Sequence, residues 1–207
     1  MKRTLSSEII TPIIYHRVTK NDTIVNFVEF HMEKKVAGKQ QPEFNLSYVQ
    51  KPIFLLLNKK LPSFSLKDLD GNELSSAQLL GKPTLINFWS IYCGPCIEEM
   101  PQLSRLKEKY KDQMNFVSIT ENSAIDDDLK GFLKNKGFNF QVLENGEDYK
   151  GKLKIAALPT NLFLDKDGVV RYIQRNYPLT AQSTPLGIDD KDNYFVKIID
   201  QLIKDVK

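Results

Sequence analysis

Cys93 and Cys96 are the only two cysteines in the 207-residue chain, and they stand as Cys93-Gly94-Pro95-Cys96. The apolar run Thr84-Leu85-Ile86-Asn87-Phe88-Trp89 precedes them, and a helix is predicted after Cys93, through Glu98, Leu103, Leu106 and Tyr110. A cysteine at the first turn of a helix meets unsatisfied N–H groups and the positive end of the helix dipole. Both favour the thiolate, which is the nucleophilic form. Pro95 suits that turn because its missing N–H would go unpaired there anyway. A second cysteine three positions on can attack a mixed disulfide made by the first. The spacing therefore predicts a two-step exchange: Cys93 attacks a target disulfide and Cys96 resolves it. The competing chemistry for such a pair is metal binding. With no second Cys or His pair at zinc spacing, a complete intrachain site is not expected, and a metal would have to be shared between chains or bridge a cluster.

Glu99 follows Cys96 by three residues, one helical turn, and can share its side of the helix. Half-buried there, its pKa should rise, which suits proton transfer. The plain alternative is a solvated helix carboxylate like its neighbour Glu98.

Strands and helices must hold these residues in place. Thr84–Trp89 reads as a buried strand by its apolar run, and Phe116–Thr120 as a second central strand. Leu61–Leu74 reads as a β-hairpin turning at Asp70-Gly71, followed by a short helical turn over Ser75–Leu80 stopped at Gly81. Asp126–Lys136 is predicted helical, with Leu129, Phe132 and Leu133 at helical spacing. Phe138–Val142 is a short strand and Asp148–Leu153 a short helix. Asn161–Leu164 is a strand turned by Asp167-Gly168 into Val169–Ile173. Phe195 to Ile203 carries a helical apolar stripe. Strands interleaved with helices imply an α/β architecture, with helices covering a mixed sheet. The first sixty residues differ. A strand around Ile9–Val18, a turn at Asn21-Asp22 and an imperfect alternation over Ile24–Met32 predict a β-rich extension. His16 and His31 are read as exposed strand residues. Val36–Gln50 is polar and linker-like.

Composition sets the outer bounds. Formal net charge is +3, with 41% hydrophobic and 27% charged residues, ordinary values for a globular chain. Two cysteines exclude a disulfide-rich scaffold. The longest apolar run, Ile53–Leu57, falls far short of the roughly 20 residues a membrane helix needs. Residues 1–60 hold 10 Lys/Arg against 5 Asp/Glu, and residues 61–207 hold 19 against 21. This asymmetry marks two regions of different character, but without a dense basic cluster it does not point to nucleic acid. Met1-Lys2-Arg3 is basic like the start of a signal peptide, yet no apolar segment follows. Either the chain stays in the cytoplasm or its targeting segment is absent from this sequence.

Taken together, Asn87-Phe88-Trp89-Ser90-Ile91-Tyr92-Cys93-Gly94-Pro95-Cys96, Glu98-Glu99-Met100-Pro101 and Ala157-Leu158-Pro159-Thr160-Asn161-Leu162-Phe163-Leu164-Asp165 resemble the thioredoxin superfamily, and more closely its TlpA/ResA-like thiol–disulfide oxidoreductases. The hairpin with Gly81-Lys82-Pro83 fits that group's entry region. The resemblance covers about residues 61–207 and implies a thioredoxin-like domain there, with residues 1–60 left as an extension of unknown role. It implies that Pro159 is the cis-proline facing the redox pair, that Leu158 offers its backbone to an extended client chain as in β-augmentation, and that the proline keeps metal away from the dithiol. It implicates Glu99 in proton handling for the buried cysteine. Tyr92 and Trp89 join Leu158 and Pro159 as candidate substrate-binding residues. Tyr92 stands where the relatives often carry Trp and can still cover the disulfide, whereas Trp89 is expected to pack near the site. Two residues depart from or strain the pattern. Asn87 replaces the Asp of thioredoxins proper and cannot act as a base, so the proton role passes to Glu99, to water or to nothing. Pro101 should kink the helix.

The expected function is protein thiol–disulfide exchange, leaning towards reduction of client disulfides, with no cofactor beyond the Cys93–Cys96 disulfide and no metal. Client proteins and an upstream electron donor are the expected partners. The alternatives are a redox-inert binding module, with residues 1–60 docking a partner, and a thiol peroxidase. The peroxidase reading is weakened because the peroxidatic cysteine of that class lacks a partner three residues later. The resemblance favours an extracytoplasmic location, although no membrane tether is visible in the sequence.

Overall fold

The computed structural model describes residues 10–20, 23–32, 52–125 and 127–206; in the first two stretches it describes the backbone. The chain divides into two compact units, Met1–Lys51 and Pro52–Lys207. In the first unit, β1 (Ile10–Lys20) pairs antiparallel with β2 (Thr23–Met32) from Lys20↔Thr23 out to Ile10↔Met32, with an irregularity between Pro12 and Tyr15. The turn expected at Asn21-Asp22, the linker expected over Val36–Gln50 and the side chains of His16 and His31 lie outside the described residues.

In the second unit, a five-stranded sheet runs in the order β7-β6-β5-β8-β9. The strands are β5 (Thr84–Trp89), β6 (Asn115–Thr120), β7 (Gln141–Leu143), β8 (Thr160–Leu164) and β9 (Val170–Gln174). β5 is parallel to β6 and β6 to β7, while β8 runs antiparallel to both β5 and β9. The sheet is mixed, as the sequence implies. Every residue of β5 and β8 is buried, which is why they read as continuous apolar runs.

Strand alternation divides the sheet into two faces. On one, Leu85, Trp89, Phe116, Val142 and Phe163 pack with helices α1 (Gly94–Tyr110), α2 (Leu129–Lys136) and α4 (Tyr194–Lys204). On the other lie Ile86, Phe88, Val117, Ile119, Leu162 and Leu164. There the ring of Tyr149 on α3 (Glu147–Lys152) stacks 6.3 Å from Phe88 and lies 5.1 Å from Phe64. A small hairpin, β3 (Ser65–Lys67) and β4 (Glu73–Ser75), turns through Gly71 at φ 84°, a conformation glycine takes without penalty. It joins the sheet edge where the Glu144 N–H donates to the Lys67 carbonyl at 3.0 Å.

The boundary details differ from the sequence reading for local reasons. Helix α2 starts at Leu129 rather than Asp126 because Asp128 caps it, its side chain accepting from the Gly131 N–H. Residues 52–60, grouped by sequence with the extension, pack with the second unit. The Asn58 N–H donates to Val170 O at 2.8 Å and the Leu61 N–H to Gly168 O at 2.9 Å.

Candidate active site

The redox pair sits where β5 gives way to α1. Cys93 is the N-cap of α1 and is bonded to Cys96 as a disulfide, with Cα atoms 5.3 Å apart. The Cys96 N–H lies 3.3 Å from Cys93 Sγ, and the Ile97 N–H donates to the Cys93 carbonyl at 3.2 Å. An N-terminal donor of a 17-residue helix therefore points at the sulfur, as thiolate stabilisation requires. Pro95 lies in the first turn, where it breaks no bond. The two sulfurs live in different surroundings: Cys93 is half-buried, whereas Cys96 is 1% exposed. The first can be reached by a client and the second cannot. Pro101 lies inside α1, as its position in the sequence implies.

The loop before the motif is tied down by the loop after β6. The Ile91 N–H donates to Asn122 Oδ1 at 3.0 Å, and Asn122 in turn donates to Asp127. Tyr92 is 80% exposed, its hydroxyl donating to Asp127 Oδ1 at 3.1 Å. It stands beside Cys93 as an open aromatic face. Trp89 does not join it. It is 1% exposed, its indole N–H donates to Ser118 Oγ at 3.1 Å, and its ring stacks 6.0 Å from Phe132. This corrects the grouping of Trp89 with substrate-binding residues: a side chain wholly inside the core cannot touch a client. The Leu158–Pro159 peptide bond is cis, with Leu158 half-buried and Pro159 buried just ahead of β8.

Glu99 is 3% exposed, so the expectation of half-burial is also corrected. Three N–H donors surround its carboxyl. Asn87 Nδ2 donates to Oε1 at 2.8 Å, Asn161 Nδ2 to the same oxygen at 3.4 Å, and the Tyr177 main-chain N–H to Oε2 at 2.9 Å. Burial penalises the charged form and outweighs the donors that favour it, so the Glu99 pKa is pushed up to about 8. A carboxyl poised there can take or release a proton near neutral pH.

Asn161 and Tyr177 escaped the sequence reading as functional residues. Asn161 carried a visible signal, being an amide inside a buried apolar strand, as Asn87 is in β5. Tyr177 carried none, because its contribution is a main-chain N–H. The pairing Asn87↔Asn161 is a fact of register, which neither strand discloses alone. Among the described residues no cluster of three or more His, Cys, Asp or Glu is placed to hold a metal.

The family profile of AhpC/TSA matches residues 57–173, more than half of the chain, and the chain belongs to that family. Two curated relatives sharpen the placement. Thiol-disulfide oxidoreductase ResA of Bacillus thuringiensis (strain Al Hakam) is 33% identical over 115 residues, covering 55% of this chain and 66% of that protein. Thioredoxin-like protein YneN of Bacillus subtilis (strain 168) is 30% identical over 129 residues, covering 61% and 76%. The match thus spans just under two thirds of ResA. Among solved structures, the thioredoxin domain of a thiol-disulfide oxidoreductase from Bacteroides vulgatus aligns with a TM-score of 0.56 at 18% identity, covering 73% of this chain and 98% of that one. It supports the thioredoxin-like fold, and the two relatives bear out the ResA-like resemblance read from the motifs.

Proposed function

We propose that this protein is a thiol–disulfide oxidoreductase that reduces disulfides in client proteins. The observation that carries the reading is the asymmetry of the pair. Cys93 is half-buried at the N-cap of α1, and Cys96 is fully buried one turn ahead of a carboxyl with a pKa near 8. In the reduced protein the Cys93 thiolate attacks a client disulfide. One client sulfur leaves as a thiolate and the other is held in a mixed disulfide. Cys96 then gives its proton to the Glu99 carboxylate and attacks Cys93 Sγ. The second client thiolate departs, leaving a client dithiol and the Cys93–Cys96 disulfide. An upstream dithiol protein restores the reduced form. Tyr92, Leu158 and Pro159 form the client-facing surface, with the Leu158 backbone available to an extended chain. The chemistry needs no metal or organic cofactor. The thioredoxin-like domain, expected from residue 61 and packed from Pro52, carries every step; the β-rich extension is assigned none. No helix among the described residues is long and apolar enough to cross a membrane. An extracytoplasmic location is inferred from the resemblance of its motifs to the TlpA/ResA-like oxidoreductases.

Insulin reduction driven by dithiothreitol tests the reading. Wild type accelerates precipitation and Cys93→Ser does not. Equal, slow rates for both would overturn the reductase reading and leave a redox-inert binding module or a thiol peroxidase. The Cys93–Cys96 reduction potential fixes direction: a strongly reducing value supports the reductase, and an oxidising one moves the protein to disulfide formation.

A further inference from the structure

The buried amides behind the disulfide are not scattered. Register pairs Ser118 on β6 with Asn87 on β5, Asn87 with Asn161 on β8, and Asn161 with Gln174 on β9. Directly paired residues project to the same face. A polar row therefore crosses four strands at one level, on the face covered by α1. All four residues are buried.

The bonds at the centre of this row close a ring around Glu99. Asn87 Nδ2 has two protons; one goes to Glu99 Oε1 at 2.8 Å and the other to Asn161 Oδ1 at 2.9 Å. Asn161 Nδ2 donates to the Arg175 carbonyl at 3.0 Å and reaches Glu99 Oε1 at 3.4 Å. Two residues past Arg175, the Tyr177 N–H closes the ring on Glu99 Oε2. The Arg175 carbonyl can only accept, so it fixes which end of Asn161 is the donor. That leaves Asn161 Oδ1 free to accept from Asn87 alone. The segment after β9 is itself anchored: the Tyr177 hydroxyl accepts from Asn193 Nδ2, and Asn193 caps α4 by accepting from the Phe195 and Val196 N–H groups.

We propose that Asn161 is a positioning residue for Glu99: it accepts one proton of Asn87, aims the other at Glu99 Oε1, and adds a weaker donor of its own. The proposal rests on Glu99 as the proton acceptor of Cys96. Donors to a carboxyl favour its charged form. Asn161 thereby opposes the burial that drives Glu99 towards the neutral acid, and keeps the proton exchangeable near neutral pH. The groups that face Glu99 are few. Cys96 lies one turn earlier on α1. β5 and β8 present only the two amides, and the segment after β9 presents the Tyr177 main-chain N–H, while the Tyr177 phenol is engaged by Asn193. None of the groups acting on Glu99 is charged. Glu98 is exposed, and Asp200 on α4 is engaged by the Tyr110 hydroxyl.

The test is a carboxyl titration of the oxidised protein by NMR with 13C-labelled glutamate, since neither cysteine titrates in the disulfide. Wild type should show one glutamate inflecting near pH 8 that is absent in Glu99→Gln. In Asn161→Leu that inflection should move up by about one pH unit, a tenfold gain in proton affinity. Asn161→Ser, too short to bridge both neighbours, should move it the same way and carries the test if Asn161→Leu loses the wild-type amide spectrum. An inflection that vanishes in Glu99→Gln but stays in place in the folded Asn161 variants overturns the positioning role and leaves the Glu99 reading intact. No inflection near pH 8 in wild type overturns both.

Discussion

The two faces of the central sheet are made by the same strands, yet they differ in one row of residues. Towards α3 and the small hairpin, β5, β6 and β8 present Ile86, Phe88, Val117, Ile119 and Leu162. Towards α1, the same strands present Ser118, Asn87 and Asn161 between layers of Leu85, Trp89, Phe116 and Phe163. Buried amides need partners, and replacing a satisfied pair by hydrocarbon of the same shape can be nearly neutral. A face built for stability alone has little need of them. The face that carries them also carries Glu99 and Cys96, so the contrast separates packing from chemistry within a single sheet.

Glu99→Gln should break the chemical face most strongly. With a pKa near 8, Glu99 must be ionised to accept the Cys96 proton, so client reduction by wild type should rise as pH increases through about 8. Glu99→Gln should lose that limb, measured as the pH dependence of client reduction. Stability should move in the opposite sense. The native state holds a proton that the unfolded chain releases above the ordinary carboxyl value of 4.5. Stability is therefore full below that value and falls as pH rises through about 8. Urea unfolding at a series of pH values should show this fall in wild type and a flatter line in Glu99→Gln.

Phe88→Ala probes the other face. Phe88 is 1% exposed and packs against Tyr149. Its truncation should cost about 3–5 kcal/mol in urea unfolding, yet leave the midpoint of the pH–rate limb where wild type has it. A shifted midpoint would mean that the two faces are not separable.

Tyr92→Ala should give the smallest effect. The ring is open to solvent beside Cys93, so its loss should raise KM for a protein client about fivefold, with kcat changing less. A fall in kcat alone would assign Tyr92 to the chemical step rather than to client contact.

Much of this was legible in the sequence, and unevenly so. The Cys93-Gly94-Pro95-Cys96 motif between an apolar run and a helical stripe disclosed the strand–helix junction, because spacing along one helix is local information. Glu99 was legible as a position for the same reason. Its depth was not, since its surroundings come from β8 and the segment after β9, far away in sequence. Trp89 packs by the site as expected, and only its grouping with the client-contact residues fails. Strand alternation turns it inward onto Ser118. The Asn87–Asn161 pair rests on a register between residues 74 positions apart, and the Tyr177 donor on a main-chain group that every residue but proline possesses.

The central claim is that Cys93 attacks and Cys96 resolves, and trapping tests it most directly. Reduced Cys96→Ser and Cys93→Ser proteins, each incubated with a disulfide-bonded client and analysed by intact mass, should behave differently. Cys96→Ser should accumulate a mixed disulfide with the client through Cys93. Cys93→Ser should accumulate none, because Cys96 is sealed in the core. A mixed disulfide formed by Cys93→Ser, or none by Cys96→Ser, would contradict the account.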